Sequence, residues 1–482
     1  MTEKPSDNDV AHESAATPPT VARTGAVAAV GSTEATGAVP KKAVWSWAFW
    51  DWATQPFNTV IVTFVFAALY LTSDAFIDPE IAALGPEDPR YGQAIDALAA
   101  NYGIAGLIAG ILIALIAPVL GQRADAAGNR KLWLGIGTGL LVACTLGLFF
   151  VEAMPAYFWF GALLIAAGSV FGEIAGVNYN AMLRQVSTPA TIGRVSGLGW
   201  GFGYLGGILA LILVVVAQTF DFFGLPLDNG LPFRVIALCC AIWTIIFAIP
   251  IFLNVPEAPA AAGAERVSFF RSYGILVRNI VDLFRNARQT FWFLLAAAVY
   301  RDGLAGVFTY GAILASVAFG FSAEQVILFG IAANLIAGVS TIFAGRLDDR
   351  FGARRVILYS LAGLSIAGIL VFLLEPAGVI VFWIFGLLLT AFVGPVQAAS
   401  RSLLARVTPP GREGEIFGLY ATTGRAASFL SPAAWVGFIA IAVALDIPNA
   451  TLWGVLGIVV ILVIGFILML FVKPEAPVAV AE

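Results

Sequence analysis

The sequence predicts an all-α membrane protein in which twelve transmembrane helices form two pseudo-symmetric six-helix bundles. Three observations predict this fold class: an apolar composition, about twelve apolar segments of spanning length, and a loop motif present once in each half of the chain. Of the 482 residues, 60% are hydrophobic and only 12% are charged, and the mean hydropathy is +0.91. Soluble domains carry about 25% charged residues, so we expect a lipid bilayer to be the solvent of this chain.

The apolar segments predict the number of helices. A helix needs about 20 apolar residues to cross a bilayer, because lipid offers no partner for unpaired backbone groups and a helix satisfies them internally. Segments that meet this requirement cover residues 45–72, 99–120, 132–152, 155–180, 196–218, 233–254, 289–318, 324–344, 356–374, 379–404, 415–440 and 450–472. Between the first two, residues 73–98 are predicted to form a solvated external loop.

An internal repeat predicts the two bundles. The pattern Gly-x-x-x-Asp-x-x-Gly-x-basic-basic occurs twice, with Asp125 in the first copy and Asp349 at the same position of the second. The other motif residues are Gly121, Gly128, Arg130 and Lys131 in the first loop and Gly345, Gly352, Arg354 and Arg355 in the second. A second repeat has a constant offset and relates Val186, Pro189, Gly193, Gly197, Leu198 and Gly203 to Val407, Pro410, Gly414, Gly418, Leu419 and Gly424.

Charge placement predicts the orientation. Basic residues concentrate in alternate loops, whereas the other loops hold only Arg90, with Arg234 at a helix edge. The positive-inside rule therefore predicts that both termini are cytoplasmic. Arg271, Arg278 and Arg285 share a helical face, which predicts an amphipathic linker helix on the inner leaflet. The predicted regions are a disordered tail 1–40, bundles 41–254 and 289–472, a linker 255–288 and a tail 473–482.

The sequence lacks the motifs that are typical of several other function classes. Cys144, Cys239 and Cys240 fall inside predicted helices without metal-ligand spacing, so we expect no disulfide, metal or cofactor. No Gly-x-x-x-x-Gly-Lys-Ser/Thr motor motif is present, and no nucleic-acid partner is expected. The single histidine, His12, lies in the predicted tail. A proton pathway would therefore depend on carboxylates.

Polar residues inside the predicted helices are functional candidates, because a charge at the bilayer centre costs about 3 kcal/mol or more. Asp51, Gln55 and Asn58 share one face of the first helix, although Asp51 could instead sit in an interfacial aromatic belt. Glu173 shares a face with Asn180, and either binds solute or protons or pairs with an inward arginine such as Arg184.

The second half contributes further candidates. Arg301 and Asp302 lie near the midplane of helix seven, and each is expected to have a partner across a cavity. Arg425 either binds a carboxylate or phosphate or pairs with Asp302 or Glu173. Arg401 is expected to snorkel to the interface or to join the second loop. Trp200 and Tyr204 either line a cavity or fill a helix interface.

The chain resembles the major facilitator superfamily, in the branch of the fungal autophagy-related vacuolar amino-acid effluxers and many bacterial transporters. The resemblance covers residues 45–472. Besides the twin loops, the segments that carry it are Trp50-Asp51-Trp52-Ala53, Tyr179-Asn180-Ala181-Met182-Leu183, residues 193–206 and Gln397-Ala398-Ala399-Ser400-Arg401-Ser402.

The resemblance implies the major facilitator fold, a central cavity, and rocking between inward-open and outward-open states. It also implies that Asp125 and Asp349 are elements of a cytoplasmic gate that contact neighbouring helix ends. Because Ala126 follows Asp125 whereas Arg350 follows Asp349, we expect the first gate to be weaker than the second.

The function implied is secondary active transport of small solutes, amino acids or related polar metabolites, with protons as the candidate coupling ion. The expected protein is a monomer of the bacterial inner membrane and not an enzyme. Two alternatives remain open: a transporter-like solute sensor, and a membrane enzyme with Glu173 and Asp302 as acid and base.

Overall fold

The computed structural model describes residues 39–257, 269–409 and 411–473. Twelve helices within them are long and apolar enough to cross a membrane, which confirms the predicted fold class. We number these spans 1 to 12: Lys41–Leu71, Pro89–Ala127, Arg130–Phe150, Pro155–Gln185, Ile192–Thr219, Asp228–Asn254, Arg288–Gly311, Leu328–Phe351, Ala353–Leu373, Val379–Val407, Glu413–Ala444 and Ala450–Leu470. The predicted tail 1–40 falls almost entirely outside the described residues, as do 258–268 and 474–482.

Span 2 is longer than its apolar segment. It begins at Pro89, well before the predicted start at residue 99, so part of the expected loop 73–98 is helical. Asp88 caps this helix, because its side chain accepts a hydrogen bond from the backbone N–H of Arg90 at 2.9 Å. Proline at the first helical position is also favourable. Local capping therefore extends the helix beyond its hydrophobic part.

Helix contacts repeat between the two halves. In the first half, span 1 contacts spans 5 and 6, span 4 contacts spans 2 and 3, and span 3 also contacts span 6. Each of these pairs has its counterpart six spans later: span 7 contacts spans 11 and 12, span 10 contacts spans 8 and 9, and span 9 contacts span 12. The bundles meet mainly where span 2 crosses span 11 and span 5 crosses span 8.

Both crossings depend on glycines of the second sequence repeat. A Cβ atom at Gly197 would lie 2.7 Å from the carbonyl oxygen of Thr341, and one at Gly418 would lie 2.8 Å from that of Ala117. Because these distances are shorter than real Cβ contacts, a larger residue would push the crossing helices apart. The recurrence of Gly197 as Gly418 thus reflects two equivalent helix crossings.

Four loops gather at one end of the molecule, which we call the basic face: residues 128–129, 186–191, 352, and the described residues 408–409 and 411–412 of the fourth loop. The linker helix Phe269–Asn286 ends close to this face, because Arg412 lies 3.8 Å from Asp282. It buries Leu276 and Leu283 while Arg271, Arg278 and Arg285 are exposed. The helix is therefore amphipathic, and its position on a membrane leaflet stays a prediction.

Span 11 is interrupted in its middle. Its first helical segment ends at Ala427 and the second begins at Leu430. Pro432 follows closely, and proline cannot donate the backbone hydrogen bond that a continuous helix requires at this position. The interruption exposes the backbone N–H groups of the second segment to side chains of neighbouring spans.

Glycine packing within the second bundle provides a test of the fold. A Cβ atom at Gly457 in span 12 would lie 2.5 Å from the carbonyl oxygen of Ala434 in span 11. We expect Gly457→Ala to destabilise the protein by about 1–3 kcal/mol through overpacking. The measurement is the thermal unfolding midpoint of the purified protein in detergent.

Gly437→Ala is the matched control, because nothing lies within 4 Å of a Cβ atom at that position of span 11. It should leave the midpoint unchanged or raise it slightly, since alanine favours helices. Equal midpoints for the two variants would contradict the packing described here.

Candidate functional site

A cavity of about 530 Å³ lies between the two bundles. Five charged residues line it, and they divide by sign between the bundles: Asp51 and Glu173 come from the first, and Arg301, Arg401 and Arg425 from the second. The lining extends away from the basic face along span 2, through Gly110 and Gly106 to Tyr102. A polar chamber inside an otherwise apolar helix assembly can hold a polar solute.

Eight of the ten residues predicted for a solute or proton pathway line this cavity: Asp51, Gln55, Asn58, Glu173, Asn180, Trp200, Arg301 and Arg425. Tyr204 does not line it. Its ring lies 6.2 Å from that of Trp200 and 6.5 Å from that of Phe308, and it is buried. Of the two alternatives for Tyr204, the structure therefore supports the filling of a helix interface.

Asp302 also lies outside the cavity, contrary to its predicted position. Its carboxylate accepts a hydrogen bond from the backbone N–H of Ser431 at 2.5 Å, and the Ser431 hydroxyl donates to the Asp302 carbonyl oxygen at 2.9 Å. Asp302 thus caps the second segment of span 11. The sequence could not show this, because the helix interruption creates the N–H groups that Asp302 binds.

An ion pair between Asp51 and Arg401 connects the bundles at the end of the cavity nearer the basic face. The Arg401 Nη1 atom lies 3.1 Å from Asp51 Oδ2, and the Tyr179 hydroxyl donates to the same oxygen at 2.8 Å. Arg401 also donates to the Asn180 side chain at 3.1 Å and to the Ser196 hydroxyl and carbonyl at 3.0 and 2.6 Å. A guanidinium of the second bundle is therefore held by three spans of the first.

Aromatic rings complete the surroundings of Arg401. Its guanidinium carbon lies 4.8 Å from the ring centroid of Trp47 and 5.6 Å from those of Tyr179 and Trp200, within range of cation–π attraction. Arg401 is only 3% exposed, so the expectation that it snorkels was wrong. Trp47 is likewise buried.

Arg401 lies close to the axis that relates the two halves of the molecule. Asn180 and Arg401 are hydrogen-bonded to each other, and they are separated by the same offset that relates Val186 to Val407 in the second repeat. Two equivalent positions can touch only close to the pseudo-twofold axis between the bundles. The hydrogen bond between Asn180 and Arg401 therefore places Arg401 close to this axis.

A second, looser ion pair crosses the cavity. Arg425 Nη2 lies 3.6 Å from Glu173 Oε2, and the two side chains are 46% and 32% exposed. Among the alternatives considered for these two residues, the structure therefore supports an ion pair between Glu173 and Arg425. Arg184 pairs with Glu413 instead, at 3.1 Å.

Asp125 of the first repeated loop contacts the other bundle at the basic face. Its carboxylate accepts hydrogen bonds from the backbone N–H of Glu415 at 3.0 Å and from Arg130 at 2.8 Å. Arg130 also pairs with Glu413 at 2.7 Å. Asp125 therefore binds the N-terminus of span 11, where unpaired N–H groups and the helix dipole favour a negative charge.

Asp349 makes the equivalent contact in the opposite direction. It accepts hydrogen bonds from the backbone N–H groups of Gly193 at 2.7 Å and Arg194 at 3.2 Å, at the N-terminus of span 5. The second repeat relates Gly193 and Arg194 to Gly414 and Glu415, so the two carboxylates bind equivalent helix ends.

A further carboxylate, absent from the sequence predictions, lies beside Asp349. Asp348 accepts a hydrogen bond from the Ser402 hydroxyl and pairs with Arg406 at 2.5 Å. The loop motif does not include this position, because the first loop has Ala124 there. The repeat alone therefore gave no signal for Asp348.

The repeated spacing of the loop glycines has a geometric cause. A Cβ atom at Gly121 would overlap the carbonyl oxygen of Gly414, and one at Gly345 would lie 2.8 Å from that of Gly193. Gly128 and Gly352 have φ angles of +62° and +86°, which favour glycine at these helix ends.

The basic residues of the loops have separate roles. Lys131 donates to the carbonyl of Phe252 at the end of span 6, and Arg354 to that of Leu470 at the end of span 12, both at 3.1 Å. Arg355 donates to the Phe351 carbonyl at the end of span 8, at 3.5 Å. Arg350 is exposed and lies over the Phe351 ring. The expected role of Arg350 in strengthening the second gate is therefore wrong.

Among the described residues, no group of three or more His, Cys, Asp or Glu side chains could hold a metal ion. The polar and aromatic groups that line the cavity include carboxylates, guanidinium groups, amides and aromatic rings.

Comparisons with known proteins agree with this architecture. A family model described as "Vacuole effluxer Atg22 like" matches residues 184–477. An uncharacterized MFS-type transporter of Bacillus subtilis, YxiO, is 27% identical over 447 residues, which cover 91% of this chain and 96% of that protein. Autophagy-related protein 22 of Cryptococcus neoformans is 29% identical over 300 residues, which cover 57% of this chain and 51% of that protein.

Solved structures share the fold. The proton:xylose symporter XylE superimposes with a TM-score of 0.65 at 14% identity, covering 91% of this chain and 96% of that one. The human organic anion transporter MFSD10 gives a TM-score of 0.66 at 16% identity, covering 89% of this chain and 99% of that one. At these identities the likeness shows the fold alone.

The ion cluster around Asp125 provides a test of the gate. Arg130→Ala would leave the carboxylates of Asp125 and Glu413 buried without their shared cation, at a cost of about 3 kcal/mol. We expect the backbone amide of Glu415 to exchange with solvent roughly 100-fold faster, since about 1.4 kcal/mol corresponds to a factor of ten. Hydrogen exchange measured by mass spectrometry on peptides from the start of span 11 checks this.

Arg350→Ala is the control for this experiment, because it removes a guanidinium from the same face without touching the cluster. It should leave the exchange rate at Glu415 unchanged. Unaltered protection in Arg130→Ala would show that the cluster does not hold the end of span 11.

Proposed function

The chain belongs to the vacuole effluxer Atg22-like family of major facilitator transporters, and we propose that it moves small polar solutes by alternating access. The observation that carries the proposal is the central cavity, lined by carboxylates of one bundle and guanidinium groups of the other. A solute bound there contacts both bundles. Its binding can therefore alter their relative position.

The proposed cycle begins from the arrangement described here, in which the basic face is closed. Asp125 binds span 11, Asp349 binds span 5, and Asp51 binds Arg401, so three contacts between the bundles lie on the same side of the cavity. The positive-inside rule assigns this side to the cytoplasm. The arrangement then corresponds to an outward-facing state, and separation of the three contacts produces the inward-facing state.

Asp51 is the candidate for proton coupling. Asp51 lines the cavity, and its Oδ2 atom contacts both Arg401 and Tyr179. Protonation would remove the charge that attracts Arg401, and an isolated guanidinium buried among the spans of the first bundle is costly. Proton uptake at Asp51 would therefore favour separation of the bundles at the basic face.

Amino acids or related small polar metabolites are the proposed substrates. Sites for small molecules measure roughly 300–1,000 Å³, and the volume of about 530 Å³ falls within this range. Carboxylates and guanidinium groups in one chamber can bind the two charged ends of a zwitterion. The proposed setting is the bacterial cell membrane, with a monomeric protein whose termini are cytoplasmic.

A solute sensor is the second candidate, since a cavity of this kind also suits a protein that binds without transporting. The discriminating experiment reconstitutes the purified protein in liposomes and measures uptake of labelled amino acids with and without a pH gradient. Solute binding in detergent without flux in liposomes would support the sensor. Turnover of a lipid-soluble substrate in detergent without any gradient would support an enzyme.

Asp51→Asn tests the coupling role. We expect it to reduce pH-gradient-driven amino-acid uptake at least tenfold while largely preserving counterflow, because exchange of solute across the membrane does not require net proton movement. Asp96→Asn, an exposed residue near the start of span 2, is the control and should retain both activities. Equal loss of uptake and counterflow in Asp51→Asn would contradict coupling at this residue.

A further inference from the structure

The charges that line the cavity do not balance. Asp51 pairs with Arg401 and Glu173 pairs with Arg425, which leaves Arg301 as the fifth charged group. Among the described residues, no carboxylate lies within ion-pair distance of Arg301. The cavity lining therefore has an excess positive charge, and such a charge within a membrane protein is costly unless an anion or water compensates it.

The guanidinium of Arg301 also has N–H donors that are not used in hydrogen bonds to the described residues. Such a group has five N–H donors and no acceptor. Arg301 donates to the carbonyl oxygen of Tyr420 through Nη1 at 2.9 Å, and the part of the chain that the structure describes offers it no other acceptor. Because Arg301 lines the cavity, the remaining donors are available to a solute.

Two contacts hold this guanidinium in place. Its central carbon lies 4.0 Å from the ring centroid of Tyr420, a cation–π contact that orients the group. Gly424, one turn further along span 11, leaves room for it, because a Cβ atom there would lie 2.9 Å from Arg301 Nη1 and 3.3 Å from its guanidinium carbon. An oriented planar group is suited to bind a carboxylate through two parallel hydrogen bonds.

The other two arginines are less suited to this task. All three nitrogens of Arg401 already donate to groups of the first bundle, and its side chain is buried. Arg425 is more exposed and pairs with Glu173. Arg301 therefore combines access to the cavity, an uncompensated charge and a fixed orientation.

We propose that Arg301 binds the carboxylate of the transported solute, and that Gly424 and Tyr420 position it for this purpose. The proposal rests on the proposed transport function and narrows its substrate class to solutes that carry a carboxylate. The sequence suggested that Arg425 could bind an anionic group of the solute. In this proposal Arg301 has that role instead.

The test measures ligand binding rather than flux, so that its failure is distinct from failure of the transport proposal. The purified full-length protein in detergent is screened by thermal shift against the twenty amino acids, their carboxamides and their decarboxylated amines. We expect at least one amino acid to raise the unfolding midpoint, and its carboxamide and amine to have little effect. Stabilisation by amides or amines equal to that by the amino acid, or by no amino acid at all, would overturn the proposal.

Variants then assign the effect to Arg301. For the amino acid that binds, Arg301→Gln should raise Kd at least 30-fold, since removal of one partner of a buried charge pair leaves the other charge unpaired. Arg301→Lys should retain only part of the affinity, because lysine cannot donate in parallel. Gly424→Ala should weaken binding several-fold by displacing the guanidinium.

Gly437→Ala is the matched control in span 11, where a Cβ atom meets open space, and it should bind as the wild type does. If Arg301→Gln fails to fold, Arg301→Lys and Gly424→Ala carry the test. Unchanged affinity in these variants would overturn the assignment. Binding that depends on Arg301 in a protein without flux would refute transport while leaving the carboxylate site in place.

Discussion

The contact on which the rest of the structure depends is the burial of Arg401, a residue of the second bundle, among groups of the first. Its guanidinium binds Asp51, Asn180 and Ser196 and is flanked by the rings of Trp47, Tyr179 and Trp200. Such a charge is tolerated only while its partners remain in place. The bundles are thus joined close to the pseudo-twofold axis by an ion pair that requires the negative charge of Asp51. The cavity lies directly beside this ion pair.

Two further contacts between the bundles lie at the basic face, in the loops proposed as gates, and they are related by the internal symmetry. Asp125 of the first bundle binds the N-terminus of span 11, and Asp349 of the second bundle binds the N-terminus of span 5. Each contact involves residues of both sequence repeats. The loop motif contains the carboxylate, and the glycine repeat contains the N–H groups and the glycines that allow close helix approach. The two sequence repeats therefore correspond to residues that contact each other between the bundles, in addition to indicating a duplication. The gates differ in their surrounding ions, Arg130 with Glu413 in one and Asp348 with Arg406 in the other.

The fold was predictable from the sequence because hydropathy and the internal repeat depend only on chain composition and spacing. The number of spans and the superfamily were confirmed, and most candidates for the cavity lining were placed correctly. Asp302 and Arg401 were not, for a common physical reason. Asp302 binds N–H groups that exist only because span 11 is interrupted, and Arg401 lies close to the helix end yet reaches inward to partners on another bundle. Packing decides which side chains pair across an interface, and the periodicity of the sequence carries no information about this packing. The mistaken role of Arg350 arose in the same way, since adjacency in sequence to Asp349 did not mean contact with the gate.

The central claim is that the ion pair between Asp51 and Arg401 keeps the bundles together at the basic face. The most direct test is a distance measurement by pulsed electron paramagnetic resonance between spin labels at positions 132 and 351, introduced as Leu132→Cys and Phe351→Cys in a variant without the native cysteines. Both residues are exposed and lie at the basic ends of different bundles. Neutralising Asp51 by Asp51→Asn should shift the distance distribution towards larger separations, whereas Asp96→Asn should leave it unchanged. Identical distributions with and without the Asp51 charge would contradict the account.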